Sequence, residues 1–179
     1  MLHPTSEVQW MDIGFHKSYI SSIADLFSKY SFKANKISDT VSEILFDGNN
    51  IVKVTDWFGW TDVLSIRKID NVERWNWVVT DSNIIYCSPD TLLPVYSLES
   101  IKIGFHGEVK YSFIIKEIQD LTMNDDIRVR REDHHPLGFV KARKLGGTLN
   151  QSSTGYKVLT KSGFFNCNNF YLCGRDSYT

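Results

Sequence analysis

The chain has 179 residues and a formal charge of −1; 42% of it is hydrophobic, 13% aromatic and 23% charged. That length buries one core and is short for two, and the composition is that of a folded chain. No run reaches the roughly 20 apolar residues of a membrane span, the opening MLHPTSEVQW lacks the basic-then-apolar plan of a secretory leader, and near-zero charge gives no general attraction for a polyanion, so no membrane, nucleic acid, cofactor, metal or small-molecule substrate is expected.

Residues 1–17 read as a polar N-terminal arm. In SYISSIADLFSKYSF, Ser18 to Phe32, the residues Ile20, Ile23, Leu26, Phe27 and Tyr30 fall at helical intervals, which predicts the one strong helix of the chain. From Glu43 the pattern changes to short β-rich runs: EILF, IVKVTDWFGW, VLSIRKI, WNWVVT and NIIYC. Asp47-Gly48 between the first two is a hairpin signal, and His106-Gly107 inside IKIGFHGEVKYSFIIKEI is a second. DIRVRRE, GFVKARKL, TGYKVLTKSG and FFNCNNFYLC complete a mostly β chain of many short strands, with an N-terminal helix.

Cys87, Cys167 and Cys173 are an odd number without a CxxC pair, which points to buried thiols and away from a disulfide framework or a zinc site. His134 and His135, beside Glu132 and Asp133, are adjacent, so on a strand their rings would face opposite ways and read as a polar loop. Asp120, Asp125 and Asp126 lack the glycine and glutamate of a calcium loop and read as a turn.

VVTDSNIIYC, Val78 to Cys87, lies over VLTKSGFFNC, Val158 to Cys167, without a gap. Upstream, VLSIRKI (Val63 to Ile69) lies over FVKARKL (Phe139 to Leu145), and downstream CSPDTLL lies over CNNFYL with one residue dropped. Two copies of one strand-turn-strand unit about a pseudo-two-fold axis would give this pattern. Thr80 and Thr160, Ser82 and Ser162, and Cys87 and Cys167 are then equivalent positions.

A β domain of two pseudo-symmetric copies is the plan of the Hint (hedgehog and intein) superfamily, and the sequence resembles an intein over nearly its whole length. ILFDGNNIVKVTDWFGWTDVLSIRKI is similar to the early region of inteins, and WNWVVTDSNIIYCSPDTLLPVYS to the block in which a strand ends in Thr-x-x-His. LTMNDDIRV is similar to a leucine-x-x-Gly-Asp turn with Asn124 for the glycine, TGYKVLTKSGFFNCNNFYLC resembles the closing blocks, and ADLFSKY looks like the short helix of some viral inteins. The resemblance implies a Hint-like β domain over residues 18–173, followed by a tail at 174–179.

It also implies a chemistry: a first-position Cys or Ser that attacks the preceding carbonyl, a histidine that protonates the departing nitrogen, and a terminal Asn that cyclises ahead of a Cys, Ser or Thr. Ser88 falls where the family has its threonine and Thr91 where it has the histidine; the closing His-Asn falls near Cys173-Gly174. If the chain processes itself, Ser6 is the candidate first nucleophile, and Asp176 and Ser177 stand in for the terminal Asn and the residue after it. A threonine hydroxyl has no accessible pKa for general-acid work, and aspartate is a poor substitute for the cyclising asparagine.

These losses point to a non-catalytic structural or assembly subunit, with a virus particle (phage tail or baseplate) as the expected setting. The chain would reside in the virion or the host cytoplasm, with other protein subunits as partners binding the polar ends Met1 to Gln9 and Gly174 to Thr179 and an outward aromatic group of Trp57, Phe58, Trp60, Trp75 and Trp77. Two alternatives stand beside this reading: a self-processing intein, and a nucleic-acid-binding module using Arg128, Arg130, Arg131, Lys141, Arg143 and Lys144.

Overall fold

The computed structural model describes residues 1–47, 51–56, 59–79, 84–96, 101–107, 109–111, 114–123, 125–128, 139–141, 144–147, 153–167 and 172–174. The described strands are β1 (Glu7–Asp12), β2 (Lys17–Ser22), β3 (Asn35–Lys36), β4 (Val41–Leu45), β5 (Val52–Thr55), β6 (Trp60–Ile69), β7 (Asn76–Val79), β8 (Ile84–Cys87) and β9 (Leu92–Tyr96). They continue as β10 (Ile101–Ile103), β11 (Val109–Tyr111), β12 (Ile114–Glu117), β13 (Asp126–Arg128), β14 (Phe139–Lys141), β15 (Lys144–Gly147), β16 (Gly155–Thr160), β17 (Phe165–Cys167) and β18 (Leu172–Gly174). One α-helix, α1 (Ile23–Lys29), follows β2. The mostly β architecture with one N-terminal helix matches the expectation.

That helix is half as long as its apolar spacing predicts. Lys17–Ser22, the expected first turns, is instead β2, paired antiparallel with β1 from Glu7↔Ser22 to Asp12↔Lys17. Cross-strand contacts override the helical period: Tyr19 stacks on Trp10 with ring centres 4.6 Å apart, and Trp10 Nε1 donates to Ser21 Oγ at 2.9 Å. Ile20, part of the predicted stripe, is exposed. Ser22 then starts α1 by accepting from the Asp25 N–H at 3.1 Å, and Ile23, Leu26 and Phe27 enter the core.

A seven-stranded sheet runs in the order β2-β1-β5-β6-β4-β3, with β16 also on β6. Of the hairpin expected at Asp47-Gly48, Gly48 lies outside the described residues, and among those described the flanking strands β4 and β5 both pair with β6 and not with each other. The true hairpin joins β5 to β6: Gly59 adopts φ +133°, a conformation closed to most L-residues, and the Asp56 N–H donates to its carbonyl at 2.7 Å. The second predicted hairpin does form, between β10 and β11, with Gly107 at φ +77°.

The repeat appears as an exchange of strands. β6 of the first copy pairs with β16 of the second, and β15 of the second pairs with β7 of the first. The registers differ: Leu145 faces Val78, whereas its counterpart Ile69 faces Gly155, three residues before Val158. Cys87 and Cys167, predicted as equivalents, are both buried. Thr80 and Ser82 lie outside the described residues.

The N-terminus belongs to this core. Leu2 is 1% exposed and bridges Tyr156 of β16 and Cys87 of β8, antiparallel to both. The Leu2 N–H donates to the Tyr156 carbonyl at 2.7 Å, and the Tyr156 N–H returns a bond to Leu2 at 3.0 Å. Contacts within the chain hold Met1 to Gln9, so the neighbouring subunit expected to bind this end is not needed to satisfy its backbone. The C-terminal end, 175–179, lies outside the described residues.

Candidate functional site

Strand β8 ends at Cys87, and Ser88-Pro89-Asp90-Thr91 turns the chain into β9, closed by the Thr91 N–H donating to the Ser88 carbonyl at 3.0 Å. Proline second in a turn pre-sets the required backbone angle. The turn brings the Ser88 and Thr91 hydroxyls to 3.1 Å from one another, and both side chains are buried.

Between these hydroxyls sits the nitrogen of Met1. It donates to Ser88 Oγ at 2.7 Å and to Thr91 Oγ1 at 2.6 Å. The Met1 carbonyl accepts from the Ser88 N–H at 2.9 Å and from the Thr91 hydroxyl at 3.3 Å. Both backbone polar groups of Met1 are therefore gripped by one four-residue turn.

Three consecutive residues of β16 complete the seat. Gly155 leaves room for the Met1 side chain, since a methyl there would fall on Met1 Sδ and Cγ. Tyr156 holds Leu2 through the paired backbone bonds. Lys157 Nζ lies 3.8 Å from Asp90 Oδ2, while Asp90 Oδ1 accepts from Ser88 Oγ at 2.5 Å. Burial raises the Asp90 carboxyl, but the Ser88 hydroxyl, the Met1 ammonium and Lys157 outweigh it and hold the group below its usual value. Asp90 is thus an ionised acceptor at neutral pH, and the hydroxyls supply hydrogen bonds without a titrating acid.

Ser88 and Thr91, singled out in the sequence, come together here. Ser6 does not take the nucleophile's place: its N–H bonds the His3 carbonyl at 2.9 Å and its carbonyl accepts from Ile23 at 2.8 Å, so it anchors the start of α1 while Met1 meets the hydroxyl pair. Asp176 and Ser177 lie outside the described residues. The sequence does not mark Met1, Asp90 or Lys157: a methionine is neither nucleophile nor acid, and Asp90 and Lys157 are brought together only by the tertiary fold.

The aromatic group does not form one outward surface. Trp75 is fully buried, with its ring edge-on to His3 at 5.3 Å, because the inserted N-terminus packs over it. Trp77 is half-buried and lies against Gly146; Trp60 is 39% exposed, and Trp57 and Phe58 are outside the described residues. Of the basic cluster, Arg128, Lys141 and Lys144 stand on β13, β14 and β15, while Arg130, Arg131 and Arg143, like His134 and His135, lie outside the described residues. Asp125 closes a turn by accepting from the Thr122 N–H at 3.0 Å and pairs with Lys116 at 3.0 Å. Among the described residues no three His, Cys, Asp or Glu side chains gather as a metal site.

No protein-family model and no curated protein matches the sequence. Solved structures do match the fold. The transcription factor IIB Mvu mini-intein has a TM-score of 0.73 at 12% identity, over 98% of this chain and 100% of that one. An intein from a hyperthermophile also has a TM-score of 0.73 at 12% identity, with 98% of each chain covered. The KlbA intein precursor from Methanococcus jannaschii has a TM-score of 0.64 at 14% identity, over 99% of this chain and 92% of that one. The chain has the intein (Hint) fold. This overturns the reading as a structural subunit of a virus particle: the similar structures are inteins, and the N-terminus that was expected to lie on a neighbouring subunit pairs within this chain's own core.

Proposed function

We propose that this chain is a self-processing domain of the intein type, which breaks a peptide bond joining it to a flanking segment. The observation that carries the reading is the seat of the Met1 nitrogen between Ser88 Oγ and Thr91 Oγ1, the two positions that the resemblance aligns with the family's Thr-x-x-His. Where a residue is joined to Met1, that nitrogen belongs to the junction peptide bond. After scission it is an amine, and the same hydroxyls accept its protons.

The Met1 thioether is no nucleophile toward a carbonyl, so the attacking oxygen comes from another residue, and the hydroxyl of Ser177 is the candidate. Its oxygen bonds to the carbonyl carbon before Met1, the carbon–nitrogen bond breaks, an ester replaces the amide, and the hydroxyl proton passes to the Met1 nitrogen. Thr91 in the histidine's place forgoes an acid contribution of roughly 10²–10⁴-fold, so the step is slow.

The test places the chain between two reporter domains of different mass and follows the purified precursor by gel and mass. Scission before Met1 or between Asp176 and Ser177 is expected, slowed in Ser88→Ala and Thr91→Ala. A precursor that stays whole, or fragments that form equally fast in both variants, would oppose the reading.

A further inference from the structure

The hydrogen-bond directions around Met1 assign a part to a residue that the resemblance does not mark. Ser88 Oγ carries one proton, and Asp90 Oδ1, 2.5 Å away and ionised, can only accept it. With its proton committed, Ser88 Oγ meets the Met1 nitrogen at 2.7 Å through lone pairs alone. Among the described residues the Thr91 hydroxyl has hydrogen bonds to Met1 and Ser88 and none to a carboxylate. It takes a bond from the Met1 nitrogen at 2.6 Å and has its own proton to share between the Met1 carbonyl at 3.3 Å and Ser88 Oγ at 3.1 Å. The two hydroxyls, alike in chemistry, thus do different work.

The carboxylate is itself held. Its second oxygen faces Lys157 Nζ at 3.8 Å, with that lysine side chain only 14% exposed. Lys157 follows directly after Tyr156, whose backbone pairs with Leu2. One strand therefore sets both the depth of the N-terminus and the bearing of the carboxylate.

We propose that Asp90 is a positioning residue, steadied by Lys157, which takes the Ser88 hydroxyl proton and so turns Ser88 into a fixed acceptor for the nitrogen of residue 1. The ligand it prepares for is a protonated nitrogen: the N–H of the junction amide and, after scission, the α-amine. Without Asp90 the Ser88 hydroxyl is free to rotate, and half of the grip on that nitrogen loses its direction. The role rests on the self-processing reading for its purpose, but the geometry has a readout of its own.

The readout is the rate at which the α-amine of the purified 179-residue chain, beginning at Met1, is modified by isotope-labelled formaldehyde and a borohydride at neutral pH, scored by mass on the N-terminal peptide. Asp90→Leu removes the acceptor and is expected to raise the rate about tenfold, as for a weakened hydrogen bond to a charged group. Asp90→Asn keeps an acceptor oxygen toward Ser88 and is expected to recover most of the protection. In Ser88→Ala the Asp90→Leu change should add almost nothing, since Asp90 acts through Ser88. Circular dichroism on each variant separates a freed amine from an unfolded chain, and Asp90→Asn carries the test alone if Asp90→Leu does not fold. Full additivity of the two changes, or an Asp90→Asn chain as unprotected as Ser88→Ala, would overturn the proposal. Coupling without any junction scission would remove the processing function and leave this role standing; scission with additive changes would do the reverse.

Discussion

Replacing Thr91 with valine tests how tightly the first residue is held. The change keeps the shape of a side chain that is 1% exposed and deletes the hydroxyl that accepts from the Met1 nitrogen at 2.6 Å and donates to its carbonyl at 3.3 Å. A hydrogen bond to a charged group contributes about 1.5–3 kcal/mol, and the methyl that replaces the hydroxyl returns up to about 0.8 kcal/mol of apolar burial. The Met1 contacts to the Ser88 side chain at 2.7 Å and the Ser88 N–H at 2.9 Å remain, so the net loss is about 1–2 kcal/mol. It should appear as local release of the N-terminus, because Leu2 and Met1 are bound by backbone bonds that can open while the rest of the sheet stays closed. Native-state hydrogen exchange reads this directly. The amides of Tyr156 and Ser88, which donate to Leu2 and Met1, should exchange about tenfold faster, while those of the β4–β6 pairing keep their rates. Unchanged rates at Tyr156 and Ser88, or equal acceleration throughout the sheet, would refute the reasoning.

Other outcomes follow from the same seat and its surroundings. Gly155→Ala places a methyl on the Met1 side chain, so the N-terminus should leave its groove, and the α-amine should become more reactive than in wild type under identical labelling. Asp90 has a lowered folded pKa, so its contribution is fully present above the unfolded value and is lost as pH falls through the folded one. The stability gap between wild type and Asp90→Asn in urea should therefore be flat from neutral pH down to the ordinary carboxylate range and close only below it. Tyr30 runs the opposite way: burial, the bond to Asp12 at 2.6 Å and nearby negative charge push its phenol up. Its contribution is whole below the unfolded value of about 10 and fades as pH rises through the folded one. Phenolate absorbance should show a late-titrating fraction from Tyr30 and from Tyr156, whose phenol is also raised by burial, and Tyr30→Phe should diminish that fraction without abolishing it.

What could be read from the sequence divides by range. The β7–β8 and β10–β11 pairings were legible because each joins two runs that are neighbours in sequence, and Ser88 and Thr91 because the resemblance marks a short block. The helix was overextended because Ile20 satisfies a helical period by spacing, while the stacking of Tyr19 on Trp10, which decides for a strand, comes from β1. Likewise the Asp47-Gly48 turn was misassigned because β6 lay ready to pair with both flanking strands. The site depends on longer reach still. Leu2 meets Cys87 and Tyr156, and no local pattern in MLHPTSEVQW announces partners so far along the chain. Trp75 was placed on the surface for the same reason, since the segment that covers it arrives from the other end of the sequence.

The most direct test of the self-processing reading is the intact mass of a fusion carrying one reporter before Met1 and another after Thr179, followed over days at neutral pH. Masses of fragments parted before Met1 or after Asp176, or of the two reporters joined, are predicted, with slower formation in Thr91→Val. A precursor of constant mass over that time, in a chain shown by hydrogen exchange to hold Met1 in its seat, would contradict the account.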